Sequence, residues 1–153
     1  MGQLTGTCFQ RCAGLDTISV LHSITFDIDA KHGTPYHQRY LDFMRHAQRN
    51  NIIVGAGMTD PKGDRSKRPS EQVDPDLFLH VTRRTEKGIY VKGAKAHMTG
   101  GLNSHWIAVM PTMNMGEADR DYAIVGMVPA DAEGITYIYG RQSCDTRAME
   151  KGE

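Results

Sequence analysis

The sequence has little cysteine and no excess of charge of either sign. Its 153 residues include 3 cysteines, an odd number without a secretion signal, and this excludes a disulfide framework as the organising principle. The 18 basic residues balance the 18 acidic ones, so no overall field attracts nucleic acid, anionic lipid or another polyanion. A nucleic-acid role would need a local basic face, and only one short basic cluster is present, around Arg65, Lys67 and Arg68.

Long apolar runs are also missing. The longest, such as residues 106–110, extend over a few positions, far short of the ~20 that a membrane-spanning helix needs. The N-terminus has neither the basic region nor the apolar core of a secretion signal, so the cytoplasm is the expected compartment. In a reducing compartment, a close cysteine pair is more typical of metal binding or redox chemistry than of a disulfide. We therefore expect a protein that acts neither in a membrane nor on nucleic acid.

The first third of the chain has a helical pattern. Apolar residues recur at three-residue steps between positions 13 and 30, which predicts an amphipathic helix. Gly33 then breaks the pattern, and Pro35 suits the first turn of a second helix over residues 35–50.

The remainder is rich in β-forming residues. A short apolar run at residues 52–58 predicts a buried strand, and a loop rich in proline and charge follows over residues 59–76. A loop of this length inside a compact domain is usually functional or disordered. Two β-rich runs flank residues 85–88, which predicts a hairpin. Three further β-rich runs lie at residues 105–112, 121–129 and 134–140.

These patterns predict an α+β protein with a boundary near residue 52. Residues 1–51 would form a helical segment, and residues 52–153 would form a β-domain of five or six antiparallel strands. Both ends look like cuts, because residues 1–10 offer little to nucleate a fold and residues 141–153 directly follow a strand-like run. We therefore expect the chain to be a piece of a longer polypeptide.

Cys8 and Cys12 lie four positions apart in the stretch TGTCFQRCAG. On a helix, positions i and i+4 share a face with Cβ atoms about 5–6 Å apart, so two thiolates could reach neighbouring corners of one metal centre. A pair of small buried side chains explains the spacing about as well, since free cysteine is among the most buried residue types. Helical geometry disfavours a disulfide, and the absence of CxxC disfavours a zinc finger. Spacing alone leaves half a metal site and a buried pair open.

Two other segments combine glycine with hydrogen-bonding side chains. GAGMTDPKGDRS, residues 55–66, brings backbone amides together with Lys62 and Arg65, which would suit a phosphate or the pyrophosphate and carbonyl oxygens of a flavin. In GAKAHMTGGLNSHW, residues 93–106, the hydroxyl of Thr99 precedes two glycines at which the backbone can approach a planar cofactor edge. A solvated charged loop and a polar turn explain the two segments at least as well when each is considered alone.

Taken together, the three segments resemble the 4-hydroxybutyryl-CoA dehydratases, a branch of the 4-hydroxyphenylacetate hydroxylase family within the acyl-CoA dehydrogenase-like flavoproteins. The resemblance runs through essentially the whole chain in the same order and spacing. The Cys-Phe-Gln-Arg-Cys element at residues 8–12 separates these dehydratases from the monooxygenases of the family. The resemblance implies that residues 1–51 end an N-terminal helical domain and that residues 52–153 form most of a flavin-binding, antiparallel β-barrel middle domain.

The resemblance also implies roles for individual residues. Cys8 and Cys12 match two of the four ligands of a [4Fe–4S] cluster, whose other ligands are a histidine and a cysteine from the C-terminal part of the family. Gln10 and Thr99 match catalytic residues, the first near the substrate hydroxyl and the second near the isoalloxazine N5. Contacts to FAD are implied for Met58, Thr59, Asp60, Pro61, Lys62, Gly63, Asp64, Arg65, His97, Met98, Thr99 and Gly100.

The implied reaction converts 4-hydroxybutyryl-CoA to crotonyl-CoA, with vinylacetyl-CoA isomerisation as a second activity. Acid–base catalysis, worth about 10²–10⁴ in rate, does not suffice for a β-proton that no carbonyl acidifies. The family uses radical chemistry instead, in which FAD accepts one electron and the cluster acts as a Lewis acid. The family base is the histidine that this chain lacks, so the chain alone is expected to be inactive. The implied partners are a CoA-thioester substrate and further copies in a homotetramer.

Two other functions remain open. A flavin-dependent aromatic monooxygenase of the same architecture would leave Cys8 and Cys12 as incidental core thiols. A non-catalytic β-barrel binding module would instead use the loop at residues 59–76 to contact a partner.

Overall fold

The structure is a computed structural model that describes residues 9–98 and 100–140. Its first elements are two helices, α1 (Phe9–His32) and α2 (Tyr36–Arg49), which confirm the two predicted helices. α1 extends beyond the predicted residues 13–30 at both ends. It stops at Gly33, whose φ of 64° suits glycine and whose N–H donates to the Asp29 carbonyl at 2.8 Å.

The start of α2 is capped by a side chain of α1. The Asp29 carboxylate accepts hydrogen bonds from the backbone N–H groups of Tyr36 and His37, at 3.0 and 2.8 Å, and from the Thr34 hydroxyl at 2.6 Å. Partial burial would raise the pKa of Asp29, but these hydrogen bonds hold it below its ordinary value. The cap therefore fixes the angle between the two helices.

Within the described residues, five strands form two sheets. The first sheet has the order β1, β4, β5, with β4 parallel to β1 and antiparallel to β5. β2 and β3 form the predicted antiparallel hairpin as a separate sheet. The strands are β1 (Val54–Gly57), β2 (His80–Thr85), β3 (Gly88–Lys92), β4 (Trp106–Val109) and β5 (Gly126–Pro129).

The α+β class is confirmed, but two details of the predicted β-domain are wrong. β1 pairs with β4 in parallel, with Val54 opposite Trp106, because the chain between them crosses over and re-enters the sheet in the same direction. The run at residues 134–140 forms no strand, and in the described part of the chain it pairs with no strand. Its apolar Ile138 is 96% exposed, whereas Tyr137 is anchored by a 2.7 Å hydrogen bond to the Ala130 carbonyl.

The main core lies between the two helices and the three-stranded sheet. Gly14 of α1 approaches β1 so closely that a Cβ at this position would lie 2.2 Å from the Val54 carbonyl oxygen. Side chains from α1, α2, the sheet and the connection between α2 and β1 then fill the interface: Ile18, Val54 and Ala108 are buried, with Tyr40, Phe43, Met44, Ile52, Trp106 and Met127 packed against them. Neither helix in the described residues has the length and apolar character that a bilayer crossing requires.

Candidate functional site

The two segments with flavin-like features lie side by side. The N–H of Ala96 donates to the Thr59 carbonyl at 2.8 Å, and the Lys95 ammonium donates to the Met58 carbonyl at 3.2 Å. The two segments are well separated along the chain, and the sequence alone did not indicate that they would be in contact. The structure therefore brings residues 58–59 of the first segment, just after β1, against residues 95–96 of the second segment, just after β3.

A buried ion pair joins the same segments. Lys95 donates to the Asp60 carboxylate and to the Met110 carbonyl, the latter at 2.7 Å, and the two charged side chains are only 8% and 6% exposed. The other Asp60 oxygen accepts from the backbone N–H and hydroxyl of Thr112 at 3.0 and 2.8 Å. The sequence predictions did not include Lys95 or Thr112. A single lysine among small residues in GAKAH is the signal that could have indicated burial.

The second segment has an unusual backbone. His97 has a φ of 52° and Gly100 a φ of 74°, both in the left-handed region that most side chains disfavour. The Ser104 hydroxyl holds the far end of the segment through a 2.9 Å bond to the Gly100 carbonyl. Thr99, the predicted contact to N5, lies outside the described residues. Non-glycine residues in this region are uncommon and cluster at functional sites, which makes His97 a candidate site residue.

A large open cleft of about 1400 Å³ borders this segment. Ligand pockets commonly enclose about 300–1,000 Å³, so the cleft has room for a cofactor. Three predicted residues line it, namely His97, Met98 and Gly100, whereas residues 58–65 do not. Much of the remaining wall is apolar and includes Ile89 and Val91 of β3.

The predicted residues at 62–65 lie in a well-connected loop at the surface. The Gln72 side chain ties the loop together, since it accepts from the Asp64 N–H at 3.0 Å and donates to the Asp64 carbonyl at 2.9 Å. The Asp64 carboxylate accepts from the Ser66 hydroxyl and N–H, which lowers its pKa. Lys62 and Arg65 are exposed, and among the described residues neither has a hydrogen-bond or ion-pair partner. Both cations are therefore available to bind an anion.

Asp119 fixes the far end of this loop. Its carboxylate is fully buried and accepts from Arg68 Nε at 2.7 Å, from the Ser70 hydroxyl at 2.7 Å and from the N–H groups of Ser70 and Gly116, each at 3.1 Å. Burial would raise the pKa of Asp119, but the hydrogen bonds outweigh burial and hold the pKa far below its ordinary value. Sequence patterns gave no indication of this cluster.

The predicted cluster ligands fall at the edge of what the structure describes. Cys8 lies outside the described residues, and Gln10 and Cys12 belong to α1 by their backbone, with side chains that are not described. Over residues 9–98 and 100–140, no group of three or more histidine, cysteine, aspartate or glutamate side chains could hold a metal ion. The cysteine pair and Gln10 therefore stay predictions.

Comparison with known proteins gives a consistent result. The chain is 53% identical, over 99% of its length, to a 4-hydroxybutyryl-CoA dehydratase/vinylacetyl-CoA-Δ-isomerase of Clostridium aminobutyricum, and it covers 31% of that protein. It is 64% identical to the solved structure of an oxygen-tolerant archaeal 4-hydroxybutyryl-CoA dehydratase from N. maritimus, with a TM-score of 0.89, covering 99% of this chain and 30% of the other. The chain thus spans about a third of the length of these relatives.

A more distant likeness concerns the fold. The oxygenase component of a 4-hydroxyphenylacetate 3-monooxygenase, solved in complex with FAD, has a TM-score of 0.62 and 23% identity over 76% of this chain and 23% of its own. All residues from 1 to 153 match the sequence profile described as 4-hydroxyphenylacetate 3-hydroxylase N terminal. Because this match extends over its whole length, the chain belongs to the 4-hydroxyphenylacetate 3-hydroxylase family and corresponds to the N-terminal region of that family.

Proposed function

We propose that this chain carries part of the active site of a 4-hydroxybutyryl-CoA dehydratase that also isomerises vinylacetyl-CoA. The observation that carries the proposal is the level of similarity. Identity to two dehydratases is 53% and 64% over 99% of the chain, whereas identity to the FAD-bound monooxygenase is 23% over 76%. The chain covers about a third of the dehydratases, so the complete activity would need the remainder of such a polypeptide.

FAD is the proposed flavin, and the residues present suit it. His97, Met98 and Gly100 offer closely approachable backbone beside a cleft of about 1400 Å³ with apolar walls, which suits a planar ring system. Lys62 and Arg65 lie outside the cleft lining, in the loop that follows Asp60, and their donors would be available for the pyrophosphate. The related oxygenase structure is described as a complex with FAD. The flavin would supply one-electron oxidation, and Thr99 would hydrogen-bond to its ring.

The proposed second cofactor is a [4Fe–4S] cluster with Cys8 and Cys12 as two of its four ligands. Thiolates are the ligands that iron–sulfur clusters require, and two of them four positions apart would share one face of a helix. The cluster would supply a Lewis acid for the departing hydroxyl. Gln10, between the two cysteines, would hydrogen-bond to that hydroxyl and orient it.

The remaining parts of the proposal concern assembly. Residues 1–51 would end a helical domain, and residues 52–153 would supply part of a β-barrel middle domain of acyl-CoA dehydrogenase-like architecture. The substrate would be a CoA thioester, and the complete enzyme would be a homotetramer. The support for this division is the change from the helices α1 and α2 to strands after Arg49.

A segment replacement tests the proposed function. The matching 152-residue segment of the Clostridium aminobutyricum dehydratase would be replaced by this sequence, and the protein would be purified without oxygen. We expect bound FAD, about four irons per subunit and formation of crotonyl-CoA from 4-hydroxybutyryl-CoA. The unmodified dehydratase is the control. A folded flavoprotein without iron and without dehydratase activity would contradict the proposal.

The monooxygenase alternative has less support, because relatives named as monooxygenases are 25–32% identical over 63–80% of the chain, against 53% over 99% for the dehydratase. The same replacement protein can be assayed with reduced FAD and oxygen on 4-hydroxyphenylacetate. Hydroxylation of this phenol, together with iron-free protein, would favour the alternative.

A further inference from the structure

We infer that Asp60 and Lys95 are positioning residues, whose buried ion pair sets the geometry of the flavin site without contacting the flavin. The inference rests on the proposed function. It gives Asp60 a role different from the direct FAD contact that the family resemblance implies. It also adds Lys95 and Thr112 to the residues on which the site depends.

The Lys95 ammonium uses all its hydrogen-bond donors within the protein, so none is available to a cofactor. An ammonium group has three donors. Lys95 directs them to the Asp60 carboxylate, the Met58 carbonyl and the Met110 carbonyl, the last two at 3.2 and 2.7 Å. Its side chain is 8% exposed. Lys95 borders the cleft, but the three residues that its ammonium contacts do not belong to the cleft lining.

Both carboxylate oxygens of Asp60 also accept hydrogen bonds from within the protein. One carboxylate oxygen accepts from Lys95, and the other accepts from the N–H and hydroxyl of Thr112 at 3.0 and 2.8 Å. The side chain is 6% exposed. The pair thus joins three stretches of chain, one after β1, one after β3 and one after β4. These stretches are residues 58–60, 95–96 and 110–112.

The location of the pair explains what it would control. Residues 97–100 begin immediately after Lys95 and Ala96, and Ala96 is itself bonded to the Thr59 carbonyl at 2.8 Å. At the other end, the Ser104 hydroxyl holds the Gly100 carbonyl at 2.9 Å. The segment that borders the cleft is therefore fixed at both ends. A left-handed residue such as His97 persists only where its surroundings over-determine its conformation.

A buried ion pair is poor support for a purely stabilising role. Removing two charges from water costs about as much as their attraction returns, so replacement of both by apolar side chains is often neutral or favourable. The presence of this pair is better explained if it fixes geometry. The distinguishing measurement is therefore the state of the bound flavin, because a stabilising pair would alter only the melting temperature.

The test uses the segment-replaced holoenzyme with Lys95→Met. We expect an FAD dissociation constant raised about tenfold, and, at saturating FAD, a shift in the visible absorption band and reduction potential of the flavin. The control is Arg84→Gln, which removes an ion pair to Asp121 whose partners are 56% and 52% exposed. This control should leave the FAD dissociation constant, the absorption band and the reduction potential unchanged.

Asp60→Asn is the second variant, and it tests the positioning role if Lys95→Met does not fold. It keeps the shape of the side chain and weakens the attraction to Lys95, so we expect the same shifts at a smaller size. A lower melting temperature with unchanged FAD affinity, spectrum and potential would overturn the inference. If the holoenzyme without these substitutions binds no FAD, the proposed function fails and the inference fails with it.

Discussion

The indole ring of Trp106 lies edge-on to the phenyl ring of Phe43, with ring centroids 5.2 Å apart. This contact joins β4 to α2 across the main core. Phe43→Ala should lower the free energy of unfolding by about 2–4 kcal/mol, because it removes the aromatic contact and leaves a cavity. Urea denaturation measures the change. Phe26→Ala is the control, since Phe26 is 59% exposed, and its effect should stay below about 1 kcal/mol.

Gly14→Ala should destabilise the protein, although alanine normally favours a helix over glycine by about 1 kcal/mol. The added Cβ would lie 2.2 Å from the Val54 carbonyl oxygen, so α1 and β1 must separate. The midpoint of thermal unfolding should fall. Ser19→Ala, on the exposed side of α1, is the matched control and should be neutral or slightly stabilising. A gain in stability from Gly14→Ala would contradict the close approach of the helix to the strand.

Asp119 should make stability depend on pH in the acid range. Because its folded pKa lies far below the ordinary value of about 4, its contribution is complete above pH 4 and decreases as the pH falls toward the folded pKa. Asp119→Asn should remove this contribution at neutral pH and flatten the acid dependence. Urea midpoints between about pH 6 and pH 2 measure the effect. Asp121→Asn, at an exposed carboxylate, should leave the profile nearly unaltered.

Cys8→Ser and Cys12→Ser should each lose cluster iron in the segment-replaced enzyme, because a serine hydroxyl is a poor substitute for a thiolate ligand. FAD content and the circular dichroism spectrum should stay unchanged. Iron analysis and the visible spectrum are the measurements. Cys144→Ser is the control and should retain its iron. Full iron and dehydratase activity in both variants would refute the ligand assignment.

Thr99→Val should change flavin reduction more than flavin content. Valine has nearly the shape of threonine but cannot hydrogen-bond to N5, so the reduction potential should shift while FAD stays bound. Spectroelectrochemical titration of the segment-replaced enzyme measures the shift. Thr82→Val, in the exposed hairpin, should leave the potential unaltered. An unaltered potential in Thr99→Val would argue against a contact to N5.

Local sequence signals predicted the elements that depend on nearby residues. The helix pattern before Gly33, the start near Pro35 and the hairpin around residues 85–88 all act over a few positions, and all three are confirmed. The run at 134–140 shows the limit of such signals. It has the composition of a strand, but a strand also requires a partner, and composition cannot supply one.

Residues whose role depends on distant contacts were missed. The small residues around Lys95 were a weak indication of burial, but only the fold brings it to Asp60 and buries both charges. Asp119 is similar, because its donors Arg68 and Ser70 lie far away along the chain. Charged residues are almost never buried without a partner, so their burial could not be predicted before the partner was known. The family resemblance identified the neighbourhood of the site but not these supporting residues.

The parallel pairing of β1 with β4 has a consequence for the order of assembly. The β2–β3 hairpin closes over a short turn and can form within about 1–10 μs of its synthesis. β1 must wait until the ribosome has released β4, because its hydrogen-bonding partner comes after the whole intervening crossover. Until then, α1 and α2 have no complete sheet to cover. The contact between α2 and the sheet at Phe43 and Trp106 can therefore form only after β4 has paired with β1.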